Sequence, residues 1–169
     1  LTLFEEARFL LDDPVARYIP EIGEMQVWAG TDGDRPVLVP QDRPMTVRHL
    51  MTHTSGMTYG FFGELNWAET QWAQSGALTV DQTLADMPAV LKGLPLLFQP
   101  GERWHYSVSI DVVGLLIEII SEQTLDVFLR ERLFEPLGMV DTAFWTTPEN
   151  GSRLATLYSV GDGGALAEI

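Results

Sequence analysis

Cysteine is absent from this chain of 169 residues, and lysine occurs once, at Lys92. Without thiols there is no disulfide frame, no cysteine nucleophile and no thiolate-bound zinc. The shortage of cations excludes more: 10 Lys plus Arg stand against 24 Asp plus Glu, a formal net charge of −14. Phosphate recognition rests on clustered cations, so no nucleic-acid partner is expected and anionic membrane surfaces are disfavoured. The acidity reads as solubility, ahead of any preference for cationic ligands. Long apolar runs are lacking too. The most apolar stretch, residues 108–120, is broken by Ser109, Asp111, Gly114 and Glu118 and is too short to cross a bilayer. No signal peptide is visible, and the compartment stays open, with the cytoplasm favoured over export.

What is present is a globular composition, 46% hydrophobic and 20% charged. A chain of this size can bury about 70% of its unfolded surface in one core. Apolar positions at helical spacing predict a helix over residues 1–11, ending at Asp12-Asp13-Pro14, and a short helical piece reaching Pro20. Residues 25–29 and 36–39 flank Thr31-Asp32-Gly33-Asp34 and predict a small hairpin, with Pro36 marking an edge arm. Thr46 is placed to cap a helix over residues 47–53, stopped by Thr54-Ser55-Gly56 with the glycine left-handed. Residues 57–76 read as a long ordered loop carrying aromatic rings and one helical turn at 67–73.

Thr79 is placed to cap a helix over residues 80–91, and Pro95 and Pro100-Gly101 then break the chain. A helix over residues 108–121 has a narrow polar stripe and should be buried on most of its circumference, and a further helix over 125–133 is closed by Pro136-Leu137-Gly138. Helices dominate and strands are few. Two descriptions fit that census: a small helical protein with long loops, or the helical part of something larger.

Tests for chemistry are mostly negative. His49 and His53 stand four apart, but Leu50 occupies the place where a metalloprotease carries its Glu base, so they read as a structural pair and no metal is expected. Gly161, Gly163 and Gly164 read as a hairpin turn, and no phosphate-cradling loop or other cofactor site is expected. No Gly-x-Ser-x-Gly occurs, and no serine is followed by Lys three residues on, since Ala89 stands three before Lys92. His105-Tyr106-Ser107 beside Asp111 does not read as a triad, because residues adjacent in sequence seldom converge on one reacting atom.

Four segments carry a resemblance. They are Leu11-Asp12-Asp13-Pro14-Val15, then Pro44-Met45-Thr46-Val47-Arg48-His49-Leu50-Met51-Thr52-His53-Thr54-Ser55-Gly56-Met57, then Pro100-Gly101 through Tyr106-Ser107, and finally Leu133-Phe134-Glu135-Pro136-Leu137-Gly138-Met139. In order and approximate spacing the chain resembles the serine β-lactamase family in its broad sense, and within it the class C β-lactamase-like esterases and transesterases.

The resemblance implies an α+β fold, with residues 1–169 as a single partial domain. That domain would be the mostly helical portion of a serine β-lactamase or penicillin-binding-protein-like fold, with most of the antiparallel sheet outside the chain. It implies a small-molecule ester or β-lactam substrate attacked by the Ser of a Ser-x-x-Lys motif, with Tyr106 moving protons alongside that Lys. Tyr106 stands at the family's Tyr-x-Asn position, and Val108 replaces the Asn, which tilts the reading toward carboxylic esters. Trp104, His105 and Val108 are placed at the substrate pocket, and Phe61 and Phe62 in an acyl-group pocket. The nucleophile motif would lie just before Leu1, and the family's later Lys-Thr-Gly-type strand beyond the last residue.

The chemistry explains why both groups are needed. A free phenol titrates at about 10 and is a poor base at neutral pH unless an ammonium favours the phenolate. Residues i and i+3 of a helix share a face, which puts that ammonium beside the nucleophile. The isolated chain is therefore expected to be inactive. A β-lactamase or D-Ala-D-Ala peptidase of the same fold, and a non-catalytic binding module, are the alternatives. Oligomeric state is not legible.

Overall fold

A computed structural model describes residues 1–61, 66–77, 79 and 81–169. They form two units, Leu1–Phe128 and Leu129–Ile169. In the first, α1 (Thr2–Glu5) is one turn long, where apolar periodicity predicts a helix to residue 11. Ala7 takes φ 55°, and the N–H groups of Ala7 and Arg8 bond back to the carbonyls of Phe4 and Leu3. This closes the helix as a Schellman stop without the usual glycine. The Asp13 carboxylate then accepts from Leu10 N and from the Tyr18 hydroxyl, fixing the turn that leads into a 3-10 turn, Val15–Arg17. α2 (Pro20–Gly23) follows, with proline in its first turn where no N–H is required.

β1 (Val27–Asp32) and β2 (Arg35–Val39) pair antiparallel, with Asp32 opposite Arg35. The loop is thus two residues, and Gly33 at its first position has φ 59°, as a primed turn demands. Pro36 lies opposite Thr31 in this two-stranded sheet. Main-chain bonds from Trp28 N to Leu96 O and from Leu96 N to Gln26 O tie the hairpin to the segment before Pro100.

α3 (Val47–Met51) starts as its sequence predicts: the Thr46 hydroxyl accepts from His49 N and His49 Nδ1 accepts from Thr46 N. Its end differs. His53, not Gly56, is the left-handed stop, at φ 53°, with Thr54 N bonded to His49 O. The two histidines therefore do not share a helix. Among the described residues no group of three or more His, Asp or Glu side chains is placed to hold a metal.

Asn66 caps α4 (Trp67–Gln74), accepting from Glu69 N. The helix expected over residues 80–91 begins later: Thr83 and Asp86 form the cap, a 3-10 turn covers Leu84–Asp86, and α5 is Met87–Leu91. Pro88 accounts for the delay, because it has no N–H to donate to residue 84 and fits only a first helical turn. Val80 lies outside the described residues. Lys92 closes α5 by pairing with Glu24 at 2.8 Å.

α6 (Ser109–Ser121) is the central element. Its Val112, Leu115 and Leu116 join Val15, Ile19, Leu50, Met57 and Leu96 in the core. Gly114 lets the chain of Leu125 approach, since a Cβ there would lie 3.0 Å from Leu125 Cδ2. α7 (Leu125–Leu129) then runs into a π-type turn, Arg130–Phe134.

The second unit consists of short turns and one hairpin. Gly138, at φ 66°, ends the turn through bonds from Gly138 N to Glu135 O and Met139 N to Phe134 O. Arg153 forks onto Asp141 at 2.6 and 2.7 Å. β3 (Tyr158–Val160) and β4 (Leu166–Glu168) form a hairpin closed by Gly161 N bonding Ala165 O, where the glycines at 161, 163 and 164 predict a turn.

Gly56 is where the fold has no slack. Its φ is +88°, and a Cβ would lie 2.4 Å from Phe98 O. Gly56→Ala should lower stability by about 2 kcal/mol or more, combining left-handed strain with displacement of backbone. Gly93→Ala, where a Cβ meets nothing within 4 Å, should change it little. Urea unfolding midpoints of the two variants check this.

Candidate active site

Two irregular segments build the site. Residues 53–56 and 97–105 run together through three main-chain bonds: Leu97 N to Gly56 O and Gly101 N to Thr54 O, both 2.7 Å, and His105 N to His53 O, 2.8 Å. Beneath them lies a buried hydroxyl cluster. Ser109 Oγ is 2.8 Å from Ser55 Oγ and 2.7 Å from Ser107 Oγ, joining both segments to the first turn of α6.

On this base a group of rings collects around Tyr106, which is 45% exposed. The His53 ring centroid is 4.7 Å away and that of Tyr59 is 5.4 Å; Trp104 stacks at 6.5 Å with 25° between planes. Phe61 stacks in turn on Tyr59 at 5.3 Å. Trp104 and Phe61 are 66% and 63% exposed, so aromatic faces line the approach to the phenol.

Of the residues the sequence nominates, the structure brings Tyr106, Trp104 and Phe61 to this surface. His105 and Val108 fall elsewhere. His105 turns its side chain away from the rings, to Thr58 and Glu69. Val108 is completely buried in the main core and presents no surface to a ligand. Phe62 lies outside the described residues.

Several site residues escape a sequence reading. His53 reads as the last residue of a helix and one of a structural pair, yet its left-handed backbone ends the helix early and lays its imidazole against Tyr106. Burial pulls its pKa below the ordinary histidine value, which keeps the ring neutral at neutral pH, and among the described residues its buried Nδ1 has no hydrogen-bond partner. Tyr59 reads only as one ring of an aromatic loop. Its hydroxyl donates to Asp111 Oδ2 at 3.3 Å, and its ring packs against that of Tyr106. Asp111 is marked in the sequence as a polar position on an otherwise apolar helix and as part of a triad reading that is set aside. Glu69 stands at the third position after the Asn66 cap, where a carboxylate ordinarily serves the helix end. Here it is buried, only 2% exposed, and bonded elsewhere.

Exposure sets the two phenols apart. Tyr59 is pushed well above the ordinary phenol value, first by burial, then by the Asp111 charge and the Tyr106 contact. It is a neutral hydrogen-bonding partner over the whole working range. Tyr106 stands at the surface, where a reacting group can reach it.

A family model described as Beta-lactamase matches residues 1–168. Protein Rv1367c of Mycobacterium tuberculosis is 34% identical over 160 residues, 94% of this chain and 38% of its own length. Lovastatin esterase of Penicillium rubens is 32% identical over 172 residues, covering 98% of this chain and 41% of the esterase. Among solved structures, EstCE1, described as a hydrolase with promiscuous acyltransferase activity, superposes with a TM-score of 0.75 at 28% identity, over 99% of this chain and 40% of that one. The chain thus spans about two fifths of the length of these relatives.

The raised Tyr59 pKa has a signed consequence. In the unfolded chain this phenol ionises near about 10, and in the fold it resists ionisation. Its contribution is therefore complete below that pH and lost as pH climbs above it. Tyr59→Phe should flatten the alkaline limb of stability above about pH 10 and remove the late phenol from a 295 nm titration. An unchanged alkaline limb would assign that loss to another group.

Proposed function

The chain belongs to the β-lactamase family, whose relatives here include esterases and acyl-transfer enzymes, and on that premise we propose that it forms part of a carboxylic ester hydrolase working through an acyl-serine intermediate. Residues 1–169 are on this reading part of a single hydrolase domain. The observation that carries the proposal is the placement of Tyr106: a phenol at the surface, packed against a second phenol ring and surrounded by aromatic side chains.

Tyr106 passes a proton from the attacking serine to the departing alkoxide. A phenol does this efficiently only if an ammonium favours its ionised form. The serine and the ammonium are required from outside these residues, which contain no Ser-x-x-Lys. The neutral His53 adds no charge of its own, so the ammonium governs the phenol. Trp104 and Phe61 offer flat apolar faces to the organic part of the ester, a small-molecule substrate. The side chain at position 108 is an aliphatic group sealed in the core, with no amide to present to a lactam. That favours esters over β-lactams.

Tyr106→Phe, made in the longest natural form of the protein, should lower kcat for p-nitrophenyl butyrate by about 10²- to 10⁴-fold, the usual worth of a positioned acid–base group. The 169-residue chain by itself should show no turnover above background. Robust turnover by this chain, indifferent to Tyr106→Phe, refutes the proposal. Nitrocefin hydrolysis by the longer protein at a rate matching the ester would move the assignment to β-lactams.

A further inference from the structure

Each of the two neighbouring tyrosines is preceded in sequence by a residue whose side chain turns inward, and those two residues bond to each other. Thr58 precedes Tyr59 and His105 precedes Tyr106; Thr58 Oγ1 lies 3.0 Å from His105 Nε2. The same hydroxyl donates to Glu69 Oε2 at 2.8 Å and accepts from Gly60 N at 3.2 Å. Glu69 Oε1 is 3.5 Å from His105 Nε2, so the carboxylate spans both partners. Thr58 and Glu69 are buried, and the His105 ring is braced edge-on by Phe98 at 6.2 Å.

The hydrogen-bond inventory fixes the protons. A hydroxyl has one hydrogen to give and two lone pairs to receive. Thr58 gives its hydrogen to Glu69, so both Gly60 N–H and His105 Nε2–H must be donors to it. The histidine therefore carries its proton on Nε2, and every polar capacity of the Thr58 hydroxyl is used. Such a network holds one geometry, because a half-satisfied one in a buried setting is costly.

We propose that Thr58, His105 and Glu69 form a clamp that positions Tyr106, by locking the two tyrosine-bearing segments in register from behind. The clamp rests on the reading of Tyr106 given above, and its members are positioning residues that do not touch substrate. Glu69 is delivered by α4, whose start is fixed by the Asn66 cap three residues before it. His105 is held twice, by its ring and by its main-chain N–H on His53 O. Inward anchoring at 58 and 105 leaves the next residue of each segment facing the opening, where the two phenols meet.

The test uses the longest natural form of the protein, with ester turnover and amide hydrogen exchange measured on the same samples. Thr58→Val keeps the side-chain shape and deletes the hydroxyl, and Thr58→Ser restores the hydroxyl. The valine variant should lose on the order of ten- to a hundredfold in kcat with KM within about twofold, the scale of a small misplacement of a reacting group. It should also exchange faster at residues 59–60 and 105–107 while α6 stays protected, and the serine variant should recover both properties. If Thr58→Val does not fold, His105→Leu, which removes the Nε2–H donor at a partly exposed side chain, carries the same two readouts. Undiminished kcat in the variant overturns the clamp. So does a loss that accompanies faster exchange throughout α6, which marks general destabilisation. Full activity in Tyr106→Phe instead overturns the functional reading; local exchange in Thr58→Val then decides alone whether Thr58 locks the two segments.

Discussion

The site depends on the pairing of two segments that have no regular secondary structure. Three short main-chain bonds join residues 53–56 to residues 97–105, and Gly56 lets the backbones approach to a distance that any side chain would prevent. Each such bond is worth only about 1 kcal/mol net, but leaving a buried backbone group unpaired costs more, so the pairing holds as a set. It is this contact that sets the His53 imidazole opposite the Tyr106 ring. The hydroxyls of Ser55, Ser107 and Ser109 extend it downward into α6, the longest helix among the described residues.

Polar side chains are thus concentrated where the two segments meet the core, and hydrocarbon fills the rest. A buried carboxylate, a threonine, three serines and a histidine lie in or beside the pairing. Stability alone would be served as well by apolar packing, since buried polar networks contribute little net energy. Their value lies in allowing one arrangement, which the proton transfer proposed for Tyr106 requires.

Much of this was readable from residues alone, and the failures have local causes. The Thr46 cap, the β1–β2 hairpin with its glycine turn and the long helix α6 follow from turn chemistry and periodicity, which act over a few residues. The early stop of α1 is unreadable because alanine seldom takes the left-handed conformation that Ala7 has here. The cap of the segment before α5 moves from Thr79 to Thr83 because Pro88 outweighs the apolar repeat. At the site, the four resemblance segments lead to Tyr106 and Trp104. Nothing in the sequence shows that Glu69 is buried or that it faces His105, because both depend on contacts between residues far apart in the chain. The His53 left-handed turn is hidden for the same reason as Ala7: the glycine three residues later is the natural candidate.

The indole of Trp104 stacks on Tyr106 with two thirds of its surface open to solvent. Any molecule that settles over the phenol must strip water from that indole, so the opening carries its own optical reporter. Occupancy can be followed through a blue shift of its emission, with no label attached and no bond broken, which separates the act of binding from the chemistry that follows it.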